Sequence, residues 1–169
     1  MEQIYKMGLA KSIGVSNNTV ALVMNMLAYA EIKPAVNQVE LHPYLIQEEL
    51  VSYCQDNGIA VVAYSPLGAP GKPDWLKSGK VGLLQEPVIL DLAKKYNKTP
   101  GQIVLQWHLS RGVVVIPKTS NPQRLGENIN CNDFRLTKAE ITKIKELNCW
   151  QRVYDTRAFG PPYNAPFFP

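Results

Sequence analysis

Apolar positions along this chain fall into short runs that alternate with helix-length amphipathic stretches. Ser12–Asn17 is a short apolar run closing on polar turn residues, which predicts a buried strand. Thr19–Ala30 reads as a helix with Asn17 or Asn18 as its N-cap and with Met24 and Met26 as packing residues. Ala35–Leu41, just after Pro34, is a second strand. Ile46–Asn57 is a second helix, apolar at Ile46, Leu50, Val51 and Cys54, with Gly58 at C′. Ile59–Tyr64 is apolar nearly throughout, which predicts a third strand covered on both faces, as in a parallel sheet. A Pro- and Gly-rich stretch then runs from Ser65 to about Glu86, and a loop that long inside a domain is functional or mobile. Pro87–Tyr96 and Pro100–Ser110 are helices with proline in the first turn, where a missing N–H costs nothing. Val113–Pro117 is a fourth strand, and Pro122–Asn130 is a helix capped by Asn121. Thr137-Lys138-Ala139-Glu140 is a capping box opening a last helix to about Leu147. The tail from Gln151 is aromatic and Pro-rich, without periodicity.

Strands alternating with helices predict a parallel α/β sheet with right-handed crossovers. No linker or repeat divides the chain, so residues 1–169 read as a single domain. Two architectures remain, a doubly wound sheet and a piece of a (β/α)₈ barrel. No G-x-G-x-x-G follows any strand, which weakens the first. A full barrel needs eight strands and about 250 residues, so this chain would be about half of one.

Composition narrows the function. Of 169 residues, 46% are hydrophobic and 19% charged, as in a folded soluble domain. The net charge of +4 is spread without a Lys/Arg block. That suits an anionic small molecule better than nucleic acid. Met1–Lys6 has no apolar leader region, and no apolar run approaches the ~18 residues of a membrane span. Cys54, Cys131 and Cys149 form no CxxC pair, which argues for reduced thiols, a cytoplasmic setting and no metal site.

In a barrel, ligands gather at the C-terminal strand ends. Those ends carry Ser16 and Asn17, then Gln38, Glu40 and His42, then Tyr64 and Ser65, then Lys118 and Thr119. The last runs through Asn121-Pro122-Gln123-Arg124 into a helix start, whose free N–H groups and partial positive charge attract anions. An ordinary capped helix with two surface cations has the same local pattern. His42 suits turn capping or packing as well as chemistry, His108 a core position, and Glu48 and Glu49 a solvated face.

Several blocks together resemble the aldo-keto reductase family. They are Ile13-Gly14-Val15-Ser16-Asn17, Asn37-Gln38-Val39-Glu40-x-His42-Pro43-Tyr44, Ala63-Tyr64-Ser65-Pro66-Leu67-Gly68, and Ile116-Pro117-Lys118-Thr119 followed by Arg124-x-x-Glu127-Asn128. Their order and spacing resemble the family's second half from Lys6 to about Trp150. The resemblance implies four βα units forming the C-terminal half of a (β/α)₈ barrel, and NADP(H) as cofactor. It implies that Ser16, Asn17 and Gln38 hydrogen-bond the nicotinamide carboxamide and that Tyr64 stacks on the ring. Ser65, Leu67 and Gly68 would belong to a strap over the pyrophosphate, with Gly71 standing where relatives have an acidic latch. Lys118, Thr119 and Arg124 would clamp the 2′-phosphate, and Glu127 and Asn128 would contact adenine. Trp150 resembles the start of the family's substrate loop, with simple packing as the alternative.

The family's catalytic tyrosine, lysine, aspartate and histidine come from its first half. No Asp-Thr-Ala…Tyr block or Ser-Lys strand end stands here, so no catalytic residue is assigned. The resemblance then implies a partial sequence or truncated product of an NADPH-dependent reductase of aldehydes or ketones. Ala28-Tyr29-x-x-Ile32-Lys33-Pro34-Ala35-Val36-Asn37-Gln38 looks most like the sugar-aldehyde branch. The alternative is a non-catalytic half barrel that binds nucleotide, or that pairs with the missing half or a second half barrel through its open edges.

Overall fold

Each apolar run becomes a strand of one parallel sheet, ordered as in the chain. The computed structural model describes residues 1–71 and 82–154. The strands are β1 Val15–Ser16, β2 Val36–Glu40, β3 Ala60–Tyr64 and β4 Val114–Val115. The helices are α1 Glu2–Lys6, α2 Val20–Tyr29, α3 Glu48–Asp56, α4 Pro87–Tyr96, α5 Pro100–Ser110, α6 Pro122–Ile129 and α7 Lys138–Lys145, with a 3₁₀ turn at Leu83–Gln85. Strands adjacent in sequence are adjacent in the sheet, as short βα crossovers favour. Gly14 allows the first pair to close. A Cβ there would stand 3.0 Å from the Val36 carbonyl oxygen and 3.2 Å from its Cβ.

Period-two alternation divides the sheet into two faces. Val39, Leu41, Val61 and Ala63 are buried in one core with Leu50, Val51 and Cys54 of α3 and Ile103, Val104 and Trp107 of α5. Opposite them, the register sets Ser16 beside Gln38, Gln38 beside Val62, Val62 beside Val114, and Glu40 beside Tyr64. This second face is only partly covered, with Val114 49% and Ile116 46% exposed. The two-sided burial expected of the third strand is therefore corrected. Val61 and Ala63 are buried, whereas Val62 and Tyr64 are half-buried and Ala60 is exposed. An apolar run reports the environment its face is made for, and here that face opens away from the helices.

Other expectations are corrected at the edges of elements. The first strand is a two-residue ladder rather than a buried run from Ser12, with Val15 half-buried and Ser16 exposed. It is an edge, so only one neighbour extends it; the Asn17 N–H adds one bond to the Gln38 carbonyl at 2.9 Å. The cap of α2 is Thr19, which accepts from the Leu22 N–H, rather than Asn17 or Asn18. Asn18 is instead pinned by buried Asn37, whose Nδ2 donates to the Asn18 carbonyl at 2.9 Å. Met24 is 53% exposed, and Val23 is the buried residue of α2. Glu48 is not merely solvated, for it pairs with Arg111 at 2.9 Å and Lys145 at 2.6 Å.

The proline-capped helices and the Thr137/Glu140 capping box lie where expected, and a second box, not read from the sequence, is complete at Thr99/Gln102. Part of the long loop and the tail beyond Tyr154 lie outside the described residues. No helix among the described residues is long and apolar enough to cross a membrane. Among the same residues no group of three or more His, Cys, Asp or Glu side chains could hold a metal.

Candidate functional site

The C-terminal ends of β1, β2 and β3 bring Ser16, Asn17, Gln38 and Tyr64 onto neighbouring strands. Ser16 donates its hydroxyl to the Gln38 carbonyl at 2.9 Å. Asn17 follows in the left-handed region (φ 58°), which turns its side chain out of the strand. Asparagine tolerates that conformation better than most residues. The Asn17 side chain stands close enough to the Tyr64 hydroxyl to pull its pKa slightly down against burial. Beside them Asn17, Thr19, Gln47 and Arg152 line a small cleft.

Burial, reinforced by the nearby Glu40 charge, pushes the Tyr64 hydroxyl up to about 12, against the opposing pull of Arg152. Tyr64 therefore stays a neutral ring at physiological pH. A general acid needs a pKa near the working pH. Burial and the acceptor Glu86 likewise push Tyr44 upward, and hydrogen bonding to Glu140 pushes Tyr96 upward. None of these three tyrosines is tuned to deliver a proton near neutrality.

After β3 the chain turns sharply. Ser65 (φ 49°), Gly68 (φ 69°) and Ala69 (φ 49°) all take positive φ, and the Gly68 N–H closes the turn on the Ser65 carbonyl at 2.9 Å. Leu67 is half-buried against the core. The base of this turn is held from below, where the fully buried His108 Nε2 donates to the Pro66 carbonyl at 3.1 Å. His108 thus has the core role its sequence context predicts, with a hold on this turn added. A Cβ on Gly68 would meet Leu83 Cδ2 at 3.3 Å in a conformation L residues rarely adopt. Gly68→Ala is accordingly expected to lower stability by about 1–2 kcal/mol in urea unfolding. An unchanged midpoint would mean that the turn relaxes freely. Among the described residues nothing stands within 4 Å of a Cβ added at Gly71.

Beyond β4, Lys118 and Thr119 lead into α6. Thr119 Oγ1 accepts from the Asn121 N–H at 3.1 Å. Asn121 Oδ1 accepts from the Gln123 and Arg124 N–H groups at 2.8 and 3.3 Å. Pro122 has no N–H, and the Leu125 N–H is bonded to the Asn121 carbonyl. The expectation of free N–H groups at this helix start is therefore corrected: the cap uses them. What remains for an anion is side-chain charge. Lys118 and Arg124 are both exposed, and neither has an acidic partner within ion-pair distance among the described residues. One turn on, Glu127 accepts from Gln123 Nε2 at 2.9 Å, and Asn128 is half-buried.

Trp150 is 69% exposed and sits at φ 56°. Sequence reasoning placed Glu40 at a strand end without a partner, and did not single out Arg152 or Tyr154, which the structure brings beside Tyr64. The available signal was an acid inside an otherwise apolar strand, between Val39 and Leu41.

The model of the aldo/keto reductase family matches residues 1–149. The chain belongs to that family. Among aldo/keto reductases it is 47% identical over 148 residues to aldo-keto reductase family 1 member A1-A of Danio rerio, covering 88% of this chain and 45% of that protein. It is 42% identical over 171 residues to a probable NAD(P)H-dependent D-xylose reductase of Arthroderma otae, covering 99% and 52%. The crystal structure of a Bombyx mori aldo-keto reductase in complex with NADP matches with a TM-score of 0.86 at 38% identity, over 97% of this chain and 53% of that one. A second silkworm aldo-keto reductase matches with a TM-score of 0.87 at 36% identity, over 99% and 51%. The chain spans about half the length of the curated relatives it matches. Within this family its four-stranded parallel sheet is half of a (β/α)₈ barrel.

Proposed function

We propose that this chain binds NADP(H) and forms the cofactor side of a reductase that converts aldehydes or ketones to alcohols. The observation that carries the reading is the placement of two cations without an acidic partner among the described residues, Lys118 and Arg124, after the strand that neighbours Tyr64. The donor set fits the cofactor. Ser16, Asn17 and Gln38 offer hydroxyl and amide groups for a carboxamide, and neutral Tyr64 offers a ring face for stacking. Ser65, Leu67 and Gly68 form a turn in which the glycine leaves the backbone accessible to a pyrophosphate. Lys118, Thr119 and Arg124 suit a phosphate monoester, for which fixed cationic donors and a planar fork give the strongest contacts. Glu127 and Asn128 lie one helical turn further along, where an adenine edge would reach.

When bound, the cofactor supplies a hydride to the carbonyl carbon. This chain's residues hold and orient it, and Tyr64 limits it to one exposed face. The proton for the carbonyl oxygen comes from outside this group, since Tyr64 is held protonated by burial. In the family pattern that proton donor belongs to the other four strands. Small aldehydes, sugars among them, are the proposed substrates. The likeness to a probable D-xylose reductase supports that class.

The open edges of β1 and β4, with Val114 and Ile116 exposed beside one of them, favour a second reading. In it the chain is a non-catalytic nucleotide-binding half barrel that pairs with a complementary half. Fluorescence titration with NADPH, followed by NADPH oxidation with glyceraldehyde, separates the two. Saturable binding is expected of this chain, and turnover of the protein that also carries the other four strands. Binding without turnover would favour the second reading, and the absence of saturable binding would overturn both.

A further inference from the structure

The segment after Trp150 folds back over the end of β2. Glu40 closes that strand, and its side chain is fully buried. Glu40 and Tyr64 are register partners, so their side chains leave adjacent strands on the same face. Glu40 Oε1 accepts from His42 Nε2 at 3.0 Å and from the Val153 N–H. Oε2 accepts from the Tyr154 N–H at 3.0 Å. Two residues beyond His42, the Tyr44 carbonyl accepts from the Cys149 and Gln151 N–H groups at 3.2 and 3.1 Å.

A carboxylate in a dry strand end is costly unless its oxygens are hydrogen-bonded. Here the partners come from the tail's backbone, across more than a hundred residues of sequence. An apolar residue would fill the same space without that requirement. The bonds fix the depth and direction of the tail whatever its side chains are. The side chains so placed flank Tyr64. The Tyr154 ring lies 6.0 Å from the Tyr64 ring, edge-on at 69°. Arg152 lines the cleft beside Asn17 and Gln47.

The geometry points to Glu40 as a positioning residue: its carboxylate docks the backbone of Val153 and Tyr154, and so sets Tyr154 and Arg152 as a wall beside Tyr64 against which the carbonyl substrate is held. The substrate part rests on the reductase reading of the Tyr64 site; the docking part does not.

The test is Glu40→Gln in the full protein. The amide is isosteric, but it replaces one accepting oxygen with a donor facing a backbone N–H. Amide hydrogen exchange at Val153 and Tyr154 is expected to accelerate about tenfold or more. The KM for glyceraldehyde is expected to rise about fivefold, with the Kd for NADPH within about twofold. Glu40→Asp, which keeps the charge, should recover part of the KM. Unchanged exchange in Glu40→Gln overturns the docking. A KM and Kd that rise together overturn the substrate wall, because that is what general loosening of the fold would give. No turnover in the unaltered protein overturns the reductase reading, and the wall with it, while exchange still decides the docking. Should Glu40→Gln fail to fold, Val153→Pro removes one donated N–H and leaves Glu40 in place. It is expected to speed exchange at Tyr154 and raise the KM in the same way, and no change in either would overturn the proposal.

Discussion

Arg124→Ala is expected to raise the Kd for NADPH about 10- to 100-fold while moving that for NADH less than about threefold. The size follows from what the start of α6 has left to offer. Asn121 takes up the Gln123 and Arg124 N–H groups, and Pro122 has none. The helix terminus therefore contributes little direct hydrogen bonding, and charge recognition falls to Lys118 and Arg124. A hydrogen bond to a charged group contributes roughly 1.5–3 kcal/mol, which is the range quoted. NADH lacks the 2′-phosphate, so it has nothing for the guanidinium to hold. Arg124→Lys should recover part of the loss, because a point charge replaces a planar fork. Parallel titrations with the two cofactors check this. Equal weakening of both would assign Arg124 to the structure of α6, and no weakening of either would place the phosphate elsewhere.

The second large effect is on stability in acid. Burial holds the His108 imidazole down to about 3, well below its ordinary value near 6.5, despite its hydrogen bond to Pro66. The native state keeps His108 neutral, while the unfolded chain protonates it. Between about pH 6.5 and pH 3 the unfolded state binds the extra proton, so stability rises with pH across that window. The contribution is fully present above pH 6.5 and is lost as the pH falls toward 3. A fully buried imidazole contributes roughly 3–5 kcal/mol in this way. His108→Gln keeps a donor for the Pro66 carbonyl and does not titrate. Urea unfolding at pH 7.5 and pH 4 should give a much smaller difference for the variant than for the unaltered protein. Equal differences would mean that other groups carry the acid sensitivity.

Element boundaries were legible wherever a residue type admits only one place in a helix. Pro87 and Pro100 each occupy a first turn, Asn121-Pro122 opens α6, and the Thr137/Glu140 box opens α7. Asn17, Asn18 and Thr19 illustrate the opposite case. All three are good N-caps, and only the buried Asn37, which binds the Asn18 backbone, leaves the role to Thr19. The five-residue α1 carries too little periodicity to be read. The face of β3 away from the helices was misread because apolar content does not say whether a covering layer is present. For the site, residues in contiguous blocks were legible and long-range ones were not. Ser16, Gln38, Tyr64 and Lys118 stand at strand ends within recognisable motifs. Glu40 acquires its meaning from Val153 and Tyr154, and no local pattern joins them.

That separation also orders the folding of the chain. Each βα unit closes a short loop, so the sheet can assemble from sequence-local pieces at modest entropic cost. The bonds from Glu40 to the tail close the longest loop described, so among these contacts they carry the largest closure entropy. Until they form the Glu40 carboxylate stays hydrated, and that end of the strand remains wet. Tail docking is thus the step that dries the Glu40 end of β2. A chain that has not yet delivered Val153 and Tyr154 leaves that carboxylate to water, and covers it only after the last helix has been made.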